Sequence, residues 1–130
     1  MNRAKLKPLV FPTIQALARS VVALEVGADR IDATPFLDET AEGLFRKMVL
    51  MPPHLGAGMI GLTLGFAGHS VGAGGKPFAQ LPLDRQREIL DGWKYSRISL
   101  TRDFVQFYEK MGVFIWYSLV EEAELAGGHP

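Results

Sequence analysis

The chain has 130 residues, 14 Lys and Arg against 14 Asp and Glu, no cysteine, and 48% hydrophobic positions. That composition predicts one compact soluble domain with its own core and excludes a disulfide framework, thiolate catalysis and a Cys-ligated metal or iron–sulfur centre. A formal net charge of zero argues against sequence-independent binding to nucleic acid or anionic lipid, both of which need surplus Lys and Arg.

Arg3, Lys5 and Lys7 precede an apolar run, but Pro8 and Pro12 break it and Arg19 interrupts it, so the segment does not read as a secretory leader. The expected compartment is the cytoplasm, with residues 1–11 a loose end. Pro12 suits a first helical turn, and Ile14, Leu17, Val21 and Leu24 recur at three- and four-residue steps. A helix is therefore expected from Pro12 to about Val26, with Gly27 as its stop and Asp29 to Ala33 as a polar connection.

Thr34-Pro35 reads as an N-cap and first-turn pair, with Asp38 and Glu39 favoured at the positive end of the helix dipole. The second helix should run from Pro35 to about Leu50, burying Leu37, Ala41, Leu44, Phe45 and Met48, pairing Glu42 with Arg46, and ending at Pro52-Pro53.

From Met48 to Gly75 there is no charged residue. Leu55, Met59, Leu62 and Phe66 keep helical spacing, which predicts a third helix from Pro53 to about Gly68. Gly56, Gly58, Gly61 and Gly65 lie in its interior, each costing about 0.8–1 kcal/mol relative to Ala, so packing must support it. Residues 71–77, with Gly72, Gly74 and Gly75, are expected as a flexible loop. Ala57, Gly61 and Gly65 recur every four residues, leaving one side of the helix nearly bare backbone, open to close approach. Another helix of the same chain, a partner polypeptide or a membrane would fit it. Two opening prolines, the frequent glycines and the lack of a basic face disfavour the membrane.

Beyond Pro82, Leu83, Gln86, Ile89, Leu90 and Trp93 mark a fourth helix, followed by a corner at Ser96 to Ser99. In the fifth, Leu100, Phe104, Phe107, Met111, Phe114 and Tyr117 form the expected buried stripe, opposite Arg102, Asp103, Gln106, Glu109 and Lys110. Val113 to Val120 is apolar nearly all round, and residues 121–130 read as a loose tail. No two-residue alternation suggests a strand, so the predicted fold is all-α: a single domain of about five helices in an irregular bundle.

No reaction chemistry emerges. Gly75-Lys76 has Ser70 where a phosphate loop needs its first glycine, and Pro77 where it needs Ser or Thr. His54, His69 and His129 lack partners at ligand spacing. The carboxylate pairs Asp38 with Glu42 and Asp84 with Glu88 fall on wet faces beside basic residues. Ser70, Ser96, Ser99 and Ser118 lack a nucleophile elbow. No catalytic, cofactor-binding or metal-ligating residue is assigned. What remains is an interface: the small-residue ridge Ala57, Gly61 and Gly65, with Phe66, Trp93, Tyr108, Trp116 and Tyr117 as aromatic anchors.

From Phe78 to Ser118 the chain resembles the small helical subunit family of gluconate 2-dehydrogenase. It is also similar to the helical region N-terminal to the catalytic part of some long-chain alcohol oxidases of the glucose-methanol-choline flavoprotein superfamily. Phe78, Leu81, Arg87, Leu90, Trp93, Ser96 and Arg97 carry the likeness, with an aromatic helix ending near Trp116-Tyr117 and an upstream turn at Leu50 to Leu55. It departs from classical members in lacking a readable export signal and in the glycine density of the third helix. The resemblance implies a non-catalytic accessory subunit that binds no cofactor itself and stabilises a large FAD-dependent alcohol or sugar oxidoreductase. A free-standing helical module, homodimeric or binding a small apolar ligand, and a membrane-associating anchor are the alternatives.

Overall fold

The first helix, α1, spans Arg3–Val26 and contains both Pro8 and Pro12, starting well before the expected Pro12. The two prolines are four residues apart and both exposed, so both rings sit on the outer side of the helix, away from its packed face. The opposite side buries Val10, Ile14, Leu17, Val21 and Val22. The computed structural model describes residues 3–27 and 36–127; the Asp29–Ala33 connection, the Thr34-Pro35 cap, His129 and the chain's extreme ends lie outside them.

The second helix, α2, is Leu37–Leu50, and it buries Ala41, Leu44, Phe45 and Met48 as the periodicity predicts. Its cap position is Phe36, at a left-handed φ of 107°, whose carbonyl accepts from the Thr40 amide at 2.8 Å and the Thr40 hydroxyl at 2.6 Å. Glu42, expected to pair along the helix with Arg46, instead reaches Lys7 of α1 at 2.6 Å. Met51 then turns extended before Pro52.

The third helix, α3, runs Pro53–Gly74, longer than expected. Val71 to Gly74 is therefore helix rather than loop. It closes at Gly75, whose φ of 77° glycine adopts without strain and whose N–H donates to the Val71 carbonyl at 2.8 Å. Gly56 is required by packing: a Cβ there would stand 2.5 Å from the Met48 carbonyl oxygen, so α3 crosses against the backbone of α2. At Gly74 a Cβ would stand 2.8 Å from Leu81 Cδ1, so the Leu81 side chain would have to shift to admit it.

A 3-10 turn at Phe78–Gln80 returns the chain to the core through buried Phe78 and Leu81. Gln86 pins this turn by donating to the Phe78 carbonyl at 2.8 Å. Helix α4 is Leu83–Lys94, and α5 is Ser99–Gly127, so residues 121–127 continue the helix instead of forming a loose tail. Among the described residues these five α-helices and one 3-10 turn are the secondary structure, with no strand, which is the expected all-α architecture.

The core lies where α1, α2 and α5 pack on one another, with α3 and α4 added outside. In α5 the predicted stripe is partly wrong. It leaves the core toward the C-terminal end of α5, where packing against α1 and α2 selects a different line of residues: Phe104 is fully buried, while Phe114 is 65% and Tyr117 40% exposed. The buried line is Phe104, Tyr108, Gly112, Trp116 and Val120, at four-residue steps. By length and composition, one helix among the described residues is long and apolar enough to cross a membrane: Lys7–Val26 within α1, half of which is buried inside the protein.

Candidate functional site

Along α3, Gly56, Ile60, Thr63, Phe66 and Ser70 face inward. At 100° per residue, the opposite side is Ala57, Gly61, Gly65, Gly68 and Gly72, with Gly58 at its edge, and all six are exposed. A Cβ built on Gly58, Gly61, Gly65, Gly68 or Gly72 meets nothing within 4 Å. The expectation that another helix of this chain packs there is thus excluded among the described residues. A strip of uncovered backbone about 21 Å long runs between partly exposed Leu64 and Val71 on one flank and Gly58 on the other.

The aromatic half of the predicted interface is mostly core. Phe66, Tyr108 and Trp116 are completely buried and cannot touch a partner. Phe66 is the hub of a ring cluster, with centroids 4.9 Å from Phe78, 5.1 Å from Trp93 and 5.7 Å from Phe104. Trp93 is half-buried and also packs on His69 and Phe104. Tyr117 is exposed on α5, edge-on to Trp116 at 5.2 Å. Of the eight predicted positions, Ala57, Gly61 and Gly65 share one open face, and Tyr117 is exposed on a different helix.

Tyr108 has a structural role that the sequence did not disclose. The Thr63 hydroxyl donates to the Met59 carbonyl at 2.8 Å, so at its 2.8 Å contact with Tyr108 it accepts, and the phenol donates. Met48 Sδ stands 3.9 Å from the same phenol oxygen, so the group joins α2, α3 and α5. Burial pushes its pKa well above the usual tyrosine value, against the smaller opposing effect of the Thr63 hydrogen bond. The folded protein holds the phenol protonated where the unfolded chain releases its proton, so this contribution to stability is full below about pH 10 and falls as pH rises beyond it. Tyr108→Phe should cost about 1 kcal/mol at neutral pH. It should also flatten the alkaline fall in stability by up to about 1.4 kcal/mol per pH unit, as read from urea titrations between pH 8 and pH 11.

A groove of about 630 Å³ opens where the end of α3 meets α4, lined by His69, Arg85, Trp93, Ile98 and Thr101 among others. Arg85 is held at both ends, pairing with Glu88 and donating to the Ala73 carbonyl at 2.9 Å. His54 and His69 are exposed on α3, and no three His, Asp or Glu side chains gather among the described residues. A second apolar exposure, at the α4–α5 corner, was not anticipated: Tyr95 is 74%, Ile98 61% and Leu100 59% exposed. Its signal was present in the sequence as apolar residues interleaved with Lys94, Arg97 and Arg102.

No protein family, curated protein or solved structure matches this chain.

Proposed function

We propose that this chain is a non-catalytic accessory subunit that docks through the outer face of α3 onto another polypeptide. The observation that carries the reading is the uncovered strip from Gly58 to Gly72. Glycine in a helix interior costs stability, and no side chain among the described residues comes within 4 Å of a Cβ built at those five glycines to offset the cost. Close approach of a second helix or a flat apolar surface gives them a purpose, since only bare backbone admits such contact. The lack of charge from Met48 to Gly75 fits a surface that is desolvated on assembly. The partner suggested by the Phe78–Ser118 likeness is a large FAD-dependent oxidoreductase of the glucose-methanol-choline type; FAD and the reacting groups would belong to it.

The test is co-expression with a large flavoprotein encoded beside this chain, followed by size exclusion with absorbance read in the flavin region. A yellow complex containing both chains is expected. Gly61→Leu should abolish it while leaving the helical content of the isolated chain intact, because a Cβ at that position meets nothing within 4 Å among the described residues. A well-folded chain that never co-elutes with flavin, or a complex indifferent to Gly61→Leu, overturns the reading. A symmetric dimer dissolved by the same substitution assigns the face to a second copy instead.

A further inference from the structure

The chain is neutral as a whole, but its charge is not evenly spread. From Gly92 to Arg102 there is no carboxylate, while Lys94, Arg97 and Arg102 fall within that span, alternating with Tyr95, Ile98 and Leu100. This is the corner where α4 hands over to α5. All three apolar side chains there are well over half exposed, and Arg97 and Arg102 are exposed beside them. Lys94 is held by Glu109 at 3.1 Å and lies over the Tyr95 ring at 5.6 Å. Arg97 and Arg102 have no ion pair among the described residues, so two cations stand without a bonded counter-ion next to three large apolar groups, with the exposed carboxylate of Asp103 directly after Arg102.

We infer that this corner seats the protein on an anionic phospholipid surface. Arginines near such a surface gain from its negative potential, and apolar and tyrosine side chains between them gain by entering the headgroup region. The arrangement suits a fluid interface better than a protein groove. Tyr95, Ile98 and Leu100 straddle the end of one helix, a turn and the start of the next, so they do not form the single helical stripe that a groove reads. A lipid surface demands no matching shape. The inference rests on different residues from the α3 face, which carries no charge, although Ile98 shares a groove with His69 at the end of α3.

The full-length chain is mixed with vesicles of phosphatidylcholine alone, or of equal phosphatidylcholine and phosphatidylglycerol, and bound protein is read by flotation. Binding to the anionic vesicles only is expected, weakening as salt screens the charges. Arg97→Gln with Arg102→Gln should reduce partitioning by roughly 25-fold, about fivefold for each cation removed. Ile98→Ser with Tyr95→Ser should reduce it with no change in far-UV circular dichroism. Gly61→Leu, which tests the other face, should bind vesicles like the parent chain. Equal binding to neutral vesicles, no binding of the folded chain to anionic ones, or indifference to the arginine substitutions overturns the inference. Retention on immobilised polyglutamate without vesicle binding also overturns it, and assigns the corner to an acidic polypeptide.

Discussion

Replacing Gly58, Gly61, Gly65 and Gly68 together by alanine is expected to raise the unfolding free energy of the isolated chain by about 3 kcal/mol. The reasoning is local. Alanine restricts the unfolded backbone and suits a helix, so each exchange gains when its methyl group has room. At these four positions an added Cβ meets nothing within 4 Å, and methyl groups at three- and four-residue spacing stand about 5–6 Å apart, too far to clash. Few natural helices offer so large a gain from such small changes, which implies that the glycines are kept for something other than the stability of the lone chain. The same variant should lose its affinity for a docking partner, because four methyl groups then stand where close approach is required. Urea titration of the parent and quadruple variant reads the first effect and co-elution reads the second. An unchanged or lowered midpoint would mean that the strip is already covered in the folded monomer.

Phe66→Ala should act in the opposite direction, lowering stability by about 3–5 kcal/mol. Phe66 is completely buried, and its ring meets Phe78, Trp93 and Phe104 at centroid separations of 4.9, 5.1 and 5.7 Å. It is therefore the point where α3, the 3-10 turn, α4 and α5 share one contact. Truncation removes the ring's transfer free energy and leaves a cavity that four separate elements would have to move to fill. A marginally stable domain has little beyond that amount in reserve. The expected outcome is a chain that retains helical circular dichroism but unfolds at much lower urea, with altered Trp93 fluorescence. A loss below about 1 kcal/mol would show that these helices settle around the gap without strain.

Helix number, order and most boundaries were legible because the relevant signals are local. Pro52-Pro53 and Pro82 announce helix starts, and the α2 stripe from Ala41 to Met48 reads directly as its buried face. The start of α1 was missed because Pro8 and Pro12 are breakers by rule, yet both lie on the exposed side of a helix that its buried opposite side holds in place. The end of α3 was missed because Gly72 and Gly74 resemble loop, whereas the chain stays helical until Gly75 adopts its left-handed angle. The open ridge was legible, since small residues at four-residue steps share a face in any α-helix. Its emptiness was not, because whether a neighbour covers a face is a tertiary fact. Phe66, Tyr108 and Trp116 were misplaced for the converse reason: aromatics favoured at interfaces are favoured in cores by the same physics. The α4–α5 corner was overlooked because a zero net charge conceals a local excess.

Helix α1 is at once the most bilayer-like segment of the described chain and a central part of its core, packed against α2 and α5. During synthesis it leaves the ribosome before α5, which must cover much of it. Until α5 emerges, Val10, Ile14, Leu17 and Val21 therefore lack part of their permanent cover. A nascent chain in that condition is a natural client for chaperones that hold apolar helices, and its yield should depend on them more than its modest size suggests.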